Sequence, residues 1–389
     1  MFRIGIISTT KDLHARKWAI ALAHAQCQVF FFCPAPEVDV IPNVTMIPIP
    51  GRHTHSWRYV DFILSARRLK REALLHPCHI YISLHATPFG VWSNWANLPN
   101  HMIMALGADI FEYTEKIHAS ARWSAENTLP SWYRKLSRYW HAFQVKKALS
   151  RADFVWADNK TLQLAIQKWL PTIQCHVFTW GIDTLFFTPA QALDEKRKLR
   201  ENLGIPEDAI VIFSGRGFKP IYHPETILHA AKKLNDAPMY WIFLKGNYAV
   251  PKGELQSAET SKYNNACFIF ELVSAEKLRD YYQVSDIMVS LPEYDGMSAS
   301  VLEALASGLY PVLSHARGNQ ELQTDGVSLA LCDPNNAMEL IHHIEKWKNL
   351  YYNSKNDYAN KNRRWVCIHA DLATQTQKFI QWLGSSGIS

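Results

Sequence analysis

The chain has 389 residues, and at roughly 150 residues per domain this predicts two or three compact units, each large enough for its own core. Hydrophobic residues make up 48% and charged residues 20%, and no segment reaches the roughly 18 uninterrupted apolar residues of a membrane-spanning helix. A peptide, a single small module and a helical membrane protein are excluded, and a soluble globular chain is expected.

Short apolar runs alternate with amphipathic stretches along the whole length. Residues 2–8 read as a strand, 14–25 as a helix and 29–33 as a second strand. Further strands are expected over 43–49, 79–85, 102–106, 153–158 and 175–180, with helices over 57–75 and 130–150. A polar helix over 191–203 opens a second series, with strands over 209–215, 239–244, 267–270, 286–290 and 310–314. Near-continuous apolar strands separated by helices imply parallel sheets covered on both faces. Two such doubly wound, Rossmann-like domains need a seam, which falls near residue 187, after Asp183-Thr-Leu-Phe-Phe-Thr-Pro189. The Gly- and Ser-rich tail reads as a frayed end.

The net charge of +6 is unevenly spread: residues 1–185 hold 20 Lys and Arg against 12 Asp and Glu. The excess lies mainly in Arg52, Arg58, Arg67, Arg68, Lys70 and Arg71, and in Arg122, Arg134, Lys135, Arg138, Lys146, Lys147 and Arg151. Both stretches are interleaved with Trp and Tyr. They read either as solvated helix faces or as a surface for phosphates or anionic lipid headgroups. No nucleic-acid partner is expected. Seven cysteines without CxxC spacing, and no signal segment, suggest free thiols and a cytoplasmic location. His76, Cys78, His79 and His85 do not supply the converging ligands of a zinc site, although a strand over 79–85 would point His79 and His85 the same way. No metal site is expected.

In open parallel sheets ligands sit beyond the carboxyl ends of the strands, so the strand-to-helix loops carry the candidate chemistry. The most informative loop begins Pro292-Glu-Tyr-Asp295-Gly-Met-Ser-Ala-Ser and runs through Glu303 to Pro311. Gly296 permits a tight turn, Ser298 suits a helix N-cap, and Gly296, Met297 and Ser298 lead into a helix start able to take a phosphate. Asp295 and Glu303, eight positions apart, suit the hydroxyls of a ribose or hexose. Alone, the loop also reads as a Ser-capped helix with incidental acids.

The acid-x7-acid stretch resembles that of retaining GT-B glycosyltransferases of the group 1 (family 4) type. Trp180-Gly-Ile-Asp183 through Pro189 is similar to that family's interdomain segment. Arg317-Gly-Asn-Gln-Glu321 through Asp325-Gly326 is similar to its Gly-x-x-Glu…Asp-Gly segment, and Leu106-Gly-Ala-Asp109 to a short N-terminal-domain loop. The resemblance implies an α/β GT-B architecture, with two domains facing a central cleft: residues 1–187 for the acceptor, completed by a C-terminal helix over 371–383, and 188–370 for a nucleoside-diphosphate-sugar donor.

The resemblance also implies roles. Glu303 would hold the nucleotide ribose, Asp295 would contact the donor sugar, and Arg216 with Lys219 would neutralise the diphosphate, so no cofactor or metal beyond the donor is needed. The first acid is usually Glu, and Glu293 has the wrong spacing to replace it. In the N-terminal domain His14 stands where the family often has a His, but the usual glycines are missing and Lys11 or Arg16 would substitute. A second His after a strand is replaced by Ala105-Leu106-Gly107, leaving Asp109, then His85, as polar candidates, and Asp109 reads equally as a helix cap. The expected activity is hexosyl transfer to a saccharide or lipid-linked acceptor in surface polysaccharide or glycoconjugate synthesis, with peripheral contact to an anionic membrane. The alternatives are a non-catalytic scaffold of the same fold and a sugar-nucleotide epimerase.

Overall fold

The computed structural model describes residues 1–35, 39–49, 59–114, 131–235, 238–244, 265–269, 271, 273–350 and 357–388. Arg52, Trp57, Arg58, Arg122 and Trp123 of the basic stretches lie outside these residues. The chain divides into two compact units, one built from the residues up to Trp180 and from Leu372 onward, the other from Gly181 to Asp371.

The first unit contains β1 (Arg3–Ile7), α1 (Leu13–His24), β2 (Gln28–Pro34), β3 (Thr45–Ile49), α2 (Tyr59–Leu75), β4 (Ile80–Leu84) and α3 (Val91–Ala96). It continues with β5 (His101–Ala105), α4 (Ala108–Thr114), α5 (Ser131–Arg151), β6 (Phe154–Ala157), α6 (Lys160–Trp169) and β7 (Cys175–Val177). Its seven strands form one parallel sheet in the order β3-β2-β1-β4-β5-β6-β7. Every residue of β4 and β5 is buried, as a sheet covered on both faces requires. The strand order reverses between β1 and β4, so the loops after these two strands flank the switch point where open sheets bind ligands.

The second unit contains α7 (Leu193–Asn202), β8 (Ile210–Ser214), α8 (Pro224–Lys233), β9 (Met239–Leu244), β10 (Ala266–Ile269), α9 (Ala275–Val284), β11 (Ile287–Ser290) and α10 (Ala299–Ala306). It continues with β12 (Tyr310–Ser314), α11 (Arg317–Thr324), β13 (Ala330–Cys332), α12 (Ala337–Leu350) and α13 (Asp357–His369). The sheet is parallel in the order β10-β9-β8-β11-β12-β13, and its switch point lies between β8 and β11. Ile210 and Ile212 enter one core cluster while Val211 and Phe213 enter another, so alternate residues of β8 serve the two faces. The three-residue β13 is too short to stand out as an apolar run and is absent from the expected strands.

The final helix, α14 (Leu372–Ser385), returns to the first unit. Phe379 is fully buried with its ring 5.0 Å from Trp18, and Trp382 stands 4.7 Å from Trp156. A fully buried aromatic of this kind contributes roughly 2 kcal/mol.

The crossing falls at Trp180–Gly181 rather than near 187. Gly181 has φ +79°, a turn open to glycine, and the segment after it is tied to the second unit. Arg363 donates to the carbonyls of Thr184, Phe187 and Ala306, and Gln283 donates to Thr188. The return crossing is at Asp371–Leu372.

Candidate active site

In the second unit the loops after β8 and β11 meet at the switch point. Ser214 ends β8, Gly217 turns the chain at φ +71°, and Phe218 anchors it by burial near Phe243. The 3-10 turn Pro220–Tyr222 follows, and its Ile221 carbonyl accepts from the Glu293 N–H of the loop after β11. Between these anchors Arg216 is held from several sides. Its Nη2 lies 2.9 Å from Asp295 Oδ2, its Nη1 donates to Ser298 and, at 3.2 Å, to Ser300, and its guanidinium carbon stands 4.7 Å from the Tyr222 ring centre.

Burial opposes the charge of Arg216, but Asp295 and Tyr222 more than compensate, so its pKa lies above the ordinary value. Burial pushes the Asp295 carboxyl above the usual range, against the pull of Arg216, the Gly296 N–H and Ser298. The two ionised forms thus depend on each other.

Glu303 is buried one turn into α10, and its Oε2 accepts from the Tyr282 hydroxyl of α9 at 3.3 Å. The same hydroxyl stands 3.2 Å from the Ser300 carbonyl. Burial and Glu303 raise the Tyr282 pKa well above 10, which keeps the phenol neutral and a donor. One polar cluster therefore joins Arg216, Asp295, Ser298, Ser300, Tyr282 and Glu303. Tyr222, Tyr282 and Ser300 were not legible as site residues, since an isolated Tyr or Ser carries no spacing signal.

Two expected local roles are different in the structure. Ser298 occupies the N-cap position of α10 but makes no side-chain cap, because its hydroxyl serves Arg216. Gly296 is not among the glycines with positive φ. Gly318 of α11 packs closely on this loop: a Cβ there would clash with the Gly296 carbonyl and sit 3.0 Å from that of Asp295. Met297 is buried beside it. Lys219 is partly buried at the start of the 3-10 turn, on the same loop as Arg216.

The first unit has its own cluster at the β1/β4 switch point. Asp12 caps α1 by accepting from the N–H groups of His14 and Ala15, and its Oδ2 accepts from Ser8 and lies 3.2 Å from His85 Nε2. Burial would raise the Asp12 carboxyl, but the His85 hydrogen bond and the charges of His85 and His14 bring it down to about 2. His14 is the second residue of α1, with its ring 6.3 Å from Trp180. Arg16 folds back onto the Thr10 carbonyl and Lys11 is exposed.

Asp109 takes a structural place. It is fully buried, and its oxygens accept from the N–H groups of Ala86, Leu106 and Gly107, so the carboxylate ties the loops after β4 and β5 together. The strand expected over 79–85 is shorter, and both histidines lie outside it. His79 accepts from the Arg3 N–H, while His85 leaves the sheet at φ +73°. Among the described residues no three of His, Cys, Asp and Glu converge as a metal site, and the seven cysteines are unpaired.

Residues 195–365 match the family described as glycosyl transferases group 1. No curated protein sequence matches the chain. The fold is similar to that of sucrose-phosphate synthase from Thermosynechococcus elongatus, with a TM-score of 0.76 at 14% identity over 100% of both chains. It is also similar to Anabaena HepE solved with UDP-glucose, with a TM-score of 0.73 at 13% identity over 99% of this chain and 100% of that one. The UDP-forming α,α-trehalose-phosphate synthase of Burkholderia vietnamiensis gives 0.71 at 14% identity, again over 99% and 100%. Arg216, Asp295 and Glu303 all lie in the stretch that matches the group 1 glycosyltransferase family, and the chain that carries them has the GT-B fold.

Proposed function

We propose that the chain is a retaining glycosyltransferase that moves a hexose-type sugar from a nucleoside-diphosphate donor to a saccharide or lipid-linked acceptor, in the synthesis of a surface polysaccharide or glycoconjugate. The observation that carries this reading is Arg216, held at the β8/β11 switch point beside the start of α10. A departing nucleoside diphosphate gathers negative charge in the transition state, and a fixed guanidinium with a helix N-terminus is suited to stabilise it. HepE was solved with UDP-glucose and with UDP, which supports a nucleotide sugar as donor.

In this reading Glu303 holds the ribose hydroxyls, Asp295 the sugar hydroxyls, and Lys219 approaches the diphosphate from the same loop as Arg216. The bond between the anomeric carbon and the phosphate oxygen breaks, with its electron pair leaving on the diphosphate. The acceptor oxygen bonds the same face of that carbon, and its proton passes to the leaving phosphate. Arg216 meets the developing charge, so the step calls for no metal ion or prosthetic group. The second unit takes the donor, the first takes the acceptor, and the protein works in the cytoplasm.

The test is product analysis with UDP- and GDP-hexoses, with and without glycoside or lipid acceptors, and nuclear magnetic resonance of the new linkage. A product that keeps the donor's anomeric configuration supports the reading. An inverted product, a donor isomerised without acceptor, or binding without turnover overturns it; the last two outcomes would indicate an epimerase and a binding scaffold.

A further inference from the structure

Two helices of the first unit carry exposed faces with large apolar side chains. On α5, Leu136, Tyr139 and Phe143 are 57%, 75% and 60% exposed and follow one another at intervals of three and four, which puts them on one stripe. Lys147 continues that stripe, and the exposed Arg151 ends the helix. On α2 the exposed Leu74 and Leu75 close a face that also carries the exposed Arg67, Lys70 and Arg71. The helices are neighbours: the Phe62 ring of α2 lies 5.9 Å from Trp140 of α5, and both helices pack on α3.

An outward helix face is ordinarily polar, and a run of large apolar side chains there marks a contact surface. The charge on the same helices selects the partner. The sequence of α5 contains six Lys and Arg and no Asp or Glu. A second copy of this chain seated on the face would bring like charges together, which opposes self-association. An anionic lipid surface satisfies both features: its phosphates meet the cations, and its headgroup layer takes Leu, Phe and the amphipathic Tyr.

We propose that the α2/α5 face of the first unit docks this protein onto an anionic bilayer. Phe143 and Leu136 enter the boundary of the acyl chains, Tyr139 sits among the headgroups, and Arg67, Lys70, Lys147 and Arg151 face lipid phosphates. The proposal stands whichever sugar is transferred, because it rests on a surface separate from the polar clusters at the two switch points.

Co-sedimentation of the full chain with vesicles of phosphatidylcholine alone, and of phosphatidylcholine with about 30 mol% phosphatidylglycerol, tests it. The unmodified protein pellets with the anionic vesicles and stays in solution with the neutral ones, and roughly 0.5 M salt weakens the association. The double variants Tyr139→Ser/Phe143→Ser and Lys147→Glu/Arg151→Glu each lose it by about tenfold or more, with unchanged thermal unfolding. The proposal is overturned if the unmodified protein ignores anionic vesicles or either variant binds as well as it does. A dimer in light scattering that becomes a monomer in Tyr139→Ser/Phe143→Ser would also overturn it, since a second copy would then be the occupant.

Discussion

Arg216 and Asp295 form a 2.9 Å ion pair across the point where the second sheet reverses its strand order, one from the loop after β8 and one from the loop after β11. Removing one partner of such a pair leaves a poorly solvated charge. Arg216→Ala is expected to cost roughly 3 kcal/mol of stability, measurable by denaturant unfolding, and to lower sugar transfer by about a hundredfold or more. Asp295→Asn leaves the Arg216 charge without its carboxylate, so it too should unfold at lower denaturant than the unmodified protein.

Gly318 makes room for the same loop from the opposite side. Its hydrogen faces the carbonyls of Asp295 and Gly296, and a methyl group in its place would overlap the nearer oxygen. Gly318→Ala should displace the loop and cost roughly 1–3 kcal/mol. Donor binding should fall with it, which titration calorimetry on the folded variant would measure.

Another buried ion cluster serves the fold at the opposite end of the same strands. Asp286, just before β11, lies 2.8 Å from both Lys196 and Arg200 and accepts from the Val211 N–H of β8. Burial would raise its pKa, but the two cations hold it below the ordinary value. Asp286→Ala strands Arg200 in the core and should cost about 3–5 kcal/mol in chemical denaturation. Donor affinity of the protein that remains folded should not change, which separates this structural pair from the pair at the site.

His101 sets a pH dependence in the first unit. It is fully buried beside Ser83, and burial pushes its pKa from 6.5 down to about 3. Below pH 6.5 the unfolded chain takes up a proton that the folded chain refuses, so stability falls with pH from about 6.5 until the folded form titrates near 3. By about pH 5 the loss amounts to about 2 kcal/mol. Thermal unfolding across this range should show a shallower decline in His101→Gln than in the unmodified protein.

The sheets were legible because buried parallel strands read as apolar runs, and twelve of the thirteen strands among the described residues lie where such runs occur. Arg216, Asp295, Ser298 and Glu303 were legible because loop position and spacing survive in sequence. The partner choices were not. Whether Ser298 caps its helix or meets Arg216 depends on a residue 82 positions away, and Asp109 became a loop tie because three N–H groups from two loops converge on it. Asp12 and His85, separated by 73 positions, meet only because β1 and β4 are neighbours in the sheet.

If the cluster around Arg216 and Glu303 binds a nucleoside-diphosphate sugar, thermal shift with UDP- and GDP-hexoses will register it. At least one of them should raise the melting temperature of the unmodified protein in a concentration-dependent way, and Arg216→Ala and Glu303→Ala should abolish the shift while remaining folded. An unmodified protein that no nucleotide sugar stabilises, or a shift that survives in both variants, would contradict it.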